Sequence, residues 1–403
     1  MRVLLTFAGG RGHAGPLLPL ARALRAAGHA VAFNGRATVV AELSDLGEPL
    51  PDADDAGSEP IAIAPLLAPD AAREDAVLRD GFAGAVARRR AGSVHALCER
   101  WTPDLIVRDE LDFGALVAAE ARGLPHATVL VSASGAFVRP PLVAPPLDAL
   151  RADYGLAPDP SLTAPARHLV LSPSPPRFRD PAFPLPATAL AFRSGPGGEP
   201  GGAARRGRGS DDEPAPPWPV AIPGAPTVYA TLGTIFNAES GDLFARLLEG
   251  LRALPLNVVV TVGRALDPAG FGPQPPHVRI ERHLPQARVL TRCDLVVSHG
   301  GSGTVVDALA AGLPSLLLPL GADQLLNAAR CEALGVGVAL DVVNATPQAI
   351  GAAATRLLDD RATAAAARAF ALEIGALPGP DACVPALEEI ASAGAAAGGT
   401  VAP

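Results

Sequence analysis

The sequence predicts an α/β protein built from two Rossmann-like, doubly wound parallel sheets facing a central cleft. Three observations carry that prediction. Short valine- and leucine-rich runs end in glycine turns that open apolar helices, as at 2–7, 227–232 and 294–298; such runs suit strands buried on both faces. The pattern restarts after residue 217. The length of 403 residues exceeds what one hydrophobic core usually organises.

Residues 2–7 read as the first strand and 8–13 as a glycine-rich turn. Leu17, Leu20, Ala21 and Leu24 form the apolar stripe of a helix that Pro16 opens and Gly28 ends. A strand at 30–34 completes a βαβ unit, whose crossover is right-handed. Then come a helix at 39–46, an irregular acidic loop at 49–70, and a helical stretch at 71–98 with a break near 81–84. Strands at 104–107 and 127–132 flank a helix at 114–122. Residues 138–165 are proline-rich with one helix at 147–154, and 169–171 is a last strand. Residues 194–217 hold almost no large apolar residue; they read as a flexible linker, the alternative being a long loop inside one domain. Beyond them lie strands at 227–232, 257–262, 278–282 and 294–298, with helices at 242–252 and 287–292. Residues 335–340 are extended, and Thr346 caps a helix at 347–358 with Pro347 at its first position. Helices follow at 361–374 and, after Gly379-Pro380, at 382–393, before a disordered tail of small residues.

Composition excludes several classes. Hydrophobic residues make up 49% of the chain, yet no apolar run reaches the roughly 18 residues that span a bilayer. The apolar N-terminus has no cleavage pattern after it, so it reads as a strand, and the cytoplasm is the default location. A net charge of −8 argues against nucleic acid. All 33 basic residues are arginine, so arginine clusters such as 88–90 and 205–208 carry reduced functional weight. Cys98, Cys293, Cys331 and Cys383 form no CxxC pair and read as buried free thiols. Asp52-Ala53-Asp54 matches a metal-binding DxD but lies in the acidic loop; with no HExxH or cysteine cluster, no metal is predicted.

The densest signal is DLVVSHGGSGTVVDALAAGLPSLLLPL at 294–320, followed by GADQLLN at 321–327. It reads as strand, glycine turn, helix, strand. Glycines let the backbone approach a ligand, and the N–H groups of a helix start suit a phosphate. His299 adds a donor there. Asp323 and Gln324 could bind sugar hydroxyls or serve as a cap and a solvent contact. In the first half, His13 follows strand one and Asp109 ends another strand, where α/β folds bind ligands. A neutral His13 could act as a general base oriented by Asp109, or merely cap its helix. No GxSxG nucleophile elbow occurs.

These stretches resemble the GT-B-fold glycosyltransferases of family 1, especially the actinomycete enzymes that decorate antibiotics and other natural products. The motifs are SHGGSGTVVDALAAGLPSLLLPLGADQLLNA at 298–328, GHAGPLLPLARAL at 12–24, YATLGT at 229–234 and HLPQ at 283–286. The resemblance implies an inverting, metal-independent transferase with no bound cofactor. Its co-substrate would be a dTDP- or UDP-sugar, and its acceptor a polyketide or other hydrophobic aglycone. It implies an acceptor-binding domain at 1–193, a linker at 194–217, a donor domain at 218–378, and a C-terminal helix at 379–403 returning to the first domain. His299, Gly301, Gly303 and Thr304 would bind the diphosphate above Thr234, and Asp307 the ribose. His283 would stack on the base, Gln286 would meet its edge, and Asp323 and Gln324 would hold the sugar. His13 would deprotonate the acceptor with Asp109, or its neighbour Glu110, behind it. Phe82, Phe137, Val138 and Leu142, with Leu66, Leu67 and Val86, are the acceptor-pocket candidates. The implied enzyme is a monomer or homodimer, with neither nucleic acid nor membrane as partner. A sugar-nucleotide 2-epimerase of the same fold and a non-catalytic sugar-nucleotide-binding subunit are the alternatives.

Overall fold

The computed structural model describes residues 1–52, 64–195, 221–233 and 236–398. They fall into two compact units: Met1–Glu59, Ala71–Ser194 and Leu377–Pro403 in one, Pro60–Asp70 and Gly195–Ala376 in the other. Most of the expected linker, the boundary at 218 and the tail from 399 lie outside the described residues.

The first unit holds β1 (Arg2–Thr6), β2 (Ala30–Gly35), β3 (Glu48–Pro51), β4 (Leu105–Asp109), β5 (His126–Val129), β6 (Leu169–Ser172) and β7 (Ala189–Ala191), in the order β3-β2-β1-β4-β5-β6-β7. The second holds β8 (Thr227–Thr231), β9 (Asn257–Thr261), β10 (Val278–Glu281), β11 (Leu295–Ser298), β12 (Ser315–Leu317) and β13 (Gly337–Ala339), in the order β10-β9-β8-β11-β12-β13. Every pairing is parallel. Strand order therefore reverses between β1 and β4, and again between β8 and β11. Loops leaving the two central strands at such a point diverge and open a crevice for a ligand. Register brings the right residues to each: Thr6 pairs with Arg108, and Thr231 with Ser298.

Each sheet has its own core. In the first unit Val3, Leu5 and Phe7 pack with Leu17, Leu20 and Leu24, the stripe read from the sequence. Cys383, Val384 and Leu387 join the same cluster, so the C-terminal segment completes this core. His29 Nε2 lies 2.9 Å from Glu388 Oε1 and ties that segment to the start of β2. In the second unit Val228, Val258, Val260, Leu295 and Val297 pack against the helix Leu243–Arg252.

Several expectations are corrected. The edge strands β3 and β7 fall where irregular chain is expected; Pro49 and Pro51 fit β3 because an edge strand bonds on one side only. The break near 81–84 is instead a π-helical stretch, Val77–Val86, continuous with helices Ala71–Ala76 and Ala87–Trp101. The helix expected at 147–154 is Pro140–Asp153 and runs through Pro145 and Pro146. Residues 64–70, read as part of the first half, belong to the second unit. There the Ala64 N–H donates to the Ala238 carbonyl at 2.8 Å, and Leu66 packs against that unit's core. Leu66 and Leu67 are thereby removed from the first unit's acceptor candidates. Among the described residues no helix is long and apolar enough to cross a membrane.

Candidate active site

The first cluster forms at the β1/β4 reversal. His13 lies inside the first helical turn, Arg11–Ala14, rather than in the turn ahead of it; its N–H bonds the Gly10 carbonyl at 3.0 Å. The helix continues through the 3-10 turn Gly15–Leu17 into Leu18–Ala26, so Pro16 sits at that joint. His13 Nδ1 is 3.2 Å from Asp109 Oδ2. Its ring stacks on Phe82 with centroids 5.5 Å apart and planes 17° apart. A Cβ on Gly9 would overlap the His13 ring, so the close approach requires glycine there.

Asp109 is fully buried and satisfied by the protein. Oδ2 also accepts from Ala8 N at 2.7 Å, and Oδ1 accepts from Leu111 N at 2.6 Å and Asp112 N at 3.1 Å. A carboxylate oxygen can only accept here, so Nδ1 of His13 is the protonated, donating nitrogen of this contact. The choice between Asp109 and Glu110 falls to Asp109. Glu110 turns away, accepting from Val131 N and Ser132 N at 3.1 and 3.0 Å, and burial pushes its carboxyl above the usual range.

The acceptor candidates divide. Phe82 reaches His13 from the π-helical stretch, against which the helix carrying Leu142 packs. Val138 and Leu142 are half-buried. Phe137 is only 7% exposed, so it belongs to the packing rather than to an open pocket wall.

A buried ion cluster beside this dyad escaped the sequence reading. Arg90, 2% exposed, donates to both carboxylate oxygens of Asp112 at 2.6–3.1 Å, to Asp52 Oδ2 at 3.1 Å and to Asn34 Oδ1 at 2.9 Å. Asp52 also accepts from Ser93 at 2.5 Å, so it serves an ion pair; Asp54, the other half of the DxD match, lies outside the described residues. The lysine-free composition had hidden Arg90 among other arginines. The available signal was Asp112, which caps helix Phe113–Ala121 by accepting from Ala115 N at 3.1 Å.

The second cluster forms at the β8/β11 reversal. His299 follows β11, and Gly300 turns the chain with φ +85°. Helix Ser302–Ala310 then starts two residues before the expected Thr304. The His299 imidazole is held between two glycines. A Cβ on Gly233, whose φ is +80°, would lie 2.6 Å from Nε2, and one on Gly301 would lie 2.5 Å from it. The side chain is 8% exposed, and Nδ1 has no hydrogen-bond partner among the described residues. Burial pushes its pKa down to about 4, so the ring is neutral at pH 7.

Three other expected donor residues meet on the next turn of the helix. Gln286 Nε2 donates to Asp307 Oδ2 at 2.7 Å, and Thr304 Oγ1 is 3.5 Å from Gln286 Oε1. Burial raises the Asp307 carboxyl, and the Gln286 N–H opposes that shift. Asp323 Oδ2 accepts from Ser302 Oγ at 2.6 Å and from Asn327 Nδ2 at 3.0 Å. Asn327, fully buried, also donates to the Gly300 carbonyl at 3.0 Å and locks the glycine turn to helix Gln324–Ala333. Ser302 and Asn327 were not singled out from the sequence; the 323/327 spacing of i,i+4 was the available signal. Gln324 is 2% exposed, and its Oε1 accepts from Leu320 N and Gly321 N at 2.7 and 3.2 Å. Its oxygen thus holds the loop ahead of its helix. His283 is exposed just after β10, and Gly303 is exposed with room for a side chain. Thr234 lies outside the described residues.

A family profile, Erythromycin biosynthesis protein CIII-like, C-terminal domain, matches residues 245–390. The chain is 32% identical over 395 residues to the elloramycin glycosyltransferase ElmGT of Streptomyces olivaceus, covering 94% of this chain and 95% of that one. It is 30% identical over 346 residues to the L-demethylnoviosyl transferase of Streptomyces niveus, covering 84% and 85%. Among solved structures, glycosyltransferase VinC in complex with dTDP superposes with a TM-score of 0.71 at 26% identity, covering 98% of this chain and 100% of that one. Two parallel Rossmann-like sheets, a histidine cluster at each strand-order reversal and these full-length relatives agree: the chain belongs to the GT-B family of antibiotic and natural-product glycosyltransferases.

Proposed function

We propose that this enzyme moves a sugar from a thymidine or uridine diphosphate sugar to a hydroxyl of a hydrophobic natural-product acceptor, inverting the anomeric centre. The observation that carries the reading is the His13–Asp109 pair at the β1/β4 reversal. Nε2 of His13 takes the acceptor proton as the acceptor oxygen bonds to the anomeric carbon. The bond from that carbon to the diphosphate oxygen breaks, and its electron pair leaves with the nucleoside diphosphate. Asp109 stabilises the imidazolium that forms and holds the tautomer in which Nε2 is the base. The first unit supplies the acceptor site, with Phe82, Val138 and Leu142 as its apolar lining.

The second unit supplies the donor site. The N–H groups opening helix Ser302–Ala310 and Nδ1 of His299, which bonds none of the described residues, are suited to a diphosphate. In this reading the diphosphate's charge is met there without a metal ion. Asp307 and Gln286 would receive the nucleoside, His283 the base face, and Asp323 with the Gln324 amide the sugar. Of the two nucleotides dTDP is preferred, the ligand of the related VinC structure.

The test is mass spectrometry of products from a panel of dTDP- and UDP-sugars crossed with polyketide aglycones. One sugar added to an acceptor, with a stereocentre inverted by NMR and turnover persisting in EDTA, is the expected result. Sugar-nucleotide epimerisation without an acceptor, or no product from any pair, would overturn it.

A further inference from the structure

We infer that Arg90 is a positioning residue for the His13–Asp109 dyad, acting through Asp112. The inference rests on the dyad being catalytic, as proposed above. Arg90 touches neither member; it holds the turn that aims one of them. Its guanidinium grips both oxygens of Asp112 at 2.6–3.1 Å. The Asp112 N–H in turn donates to Asp109 Oδ1 at 3.1 Å and to the Asp109 carbonyl at 3.1 Å. Asp109 Oδ2, the other end of that carboxylate, meets His13. A displacement of Asp112 therefore rotates the carboxylate that orients the imidazole.

The rest of the cluster shows why Asp112 stays put. Arg90 is itself pinned by Asp52 and Asn34, on the ends of β3 and β2, so its position is fixed from the sheet side. Helix Phe113–Ala121 crosses helix Ala87–Trp101 where a Cβ on Gly114 would lie 2.5 Å from the Ala87 carbonyl oxygen and 2.6 Å from Arg90 Cβ. That contact admits no side chain, so the two backbones meet two residues from Asp112. The helix of Arg90 continues back into the π-helical stretch that stacks Phe82 on the His13 ring. One continuous helical segment thus carries both Phe82, against the imidazole, and Arg90, behind the turn that holds Asp109. The planar fork matters as well as the charge: Nε and Nη2 bond Asp112 while Nη1 bonds Asp52, a geometry lysine does not reproduce.

The test is a double-mutant cycle on the full-length enzyme, using the donor and acceptor pair that gives product in the panel above. Arg90→Met should lower kcat about tenfold or more in the native background, with donor KM and dTDP binding unchanged. In an Asp109→Asn background the same change should cost less than about twofold, because the contact it supports is already lost. Arg90→Lys should rescue only in part. If Arg90→Met does not fold, Arg90→Lys carries the cycle. A second readout needs no substrate: in the ¹⁵N-histidine-labelled chain, the Nδ1 proton resonance assigned with His13→Ala should shift in Arg90→Met as it does in Asp109→Asn. Equal losses in both backgrounds, with an unmoved His13 resonance, would overturn the inference while leaving the dyad intact. If Asp109→Asn and His13→Ala themselves left kcat unchanged, the functional reading would fail instead.

Discussion

The two histidine clusters occupy equivalent places in two similar sheets, yet they are finished differently. In the first unit His13 has a carboxylate partner whose oxygens already accept four hydrogen bonds from described residues, and a buried arginine stands behind it. In the second unit His299 is wedged between glycines, neutral, with a buried nitrogen that no described residue bonds. A group that must gain and release a proton needs a partner that stabilises its charged form. A group that must receive an anion is better left with donors in want of an acceptor, since a buried unsatisfied donor gains most from a ligand. The difference is the one expected if, as proposed, the first cluster does the base chemistry and the second receives the anion.

The strongest way to break that division is His13→Ala. Loss of a general base should lower kcat by about 10²–10⁴-fold. Affinity for dTDP, measured by calorimetric titration, should stay within about twofold, because every donor residue named above belongs to the other unit. A large loss of dTDP affinity would show that the division is drawn wrongly.

Next in size is the converse change, Gly233→Ala. The new Cβ would meet His299 Nε2 at 2.6 Å, in a backbone conformation with φ +80°. Left-handed backbone costs a non-glycine residue about 1–2 kcal/mol of folding stability; the clash displaces the His299 ring, so dTDP affinity should fall roughly tenfold or more. Gly303→Ala is the control: a Cβ there meets nothing within 4 Å, and its dTDP affinity should be near native. Equal losses from both variants would mean that the helix start, rather than the His299 cradle, governs binding.

Legibility from the sequence followed the same division. The donor turn was readable because its parts are contiguous: strand, His299, glycines and helix lie within 294–312. The strands of both sheet interiors were readable because burial on both faces leaves unbroken apolar runs. The edge strands β3 and β7 are short and half-exposed, so no such run marks them. The helix running through Pro145 and Pro146 defied local propensity, and tertiary packing against the π-helical stretch decided it. The Arg90 cluster joins positions 34, 52, 90 and 112, and nothing in a linear reading brings those together. Gln324 opens helix Gln324–Ala333, and its oxygen turns back to the backbone amides of 320 and 321, a choice that depends on φ and ψ rather than residue type.

The last expected effect is on stability and concerns a second buried, neutral histidine. His126 opens β5, is fully buried, and neither ring nitrogen has a partner among the described residues. Its ring meets His168 edge-on at 4.7 Å. Burial, then the nearby charge of Arg108, then His168 and Arg167 push its pKa down from 6.5 to about 2. The unfolded chain therefore binds a proton that the folded unit refuses at every pH between those two values. Stability from this group is present above pH 6.5 and is lost as the pH falls, by about 1.4 kcal/mol per unit once well below 6.5. Between pH 7 and pH 5 that amounts to about 2 kcal/mol. His126→Phe keeps a ring without the titration, so its first-unit melting transition should fall less between pH 7 and pH 5 than the native one, as scanning calorimetry would measure. An unchanged pH slope would mean that His126 gains a partner on acidification. His299, whose pKa is about 4, should impose a similar loss on the second unit over the same range, and His126→Phe should leave that share untouched.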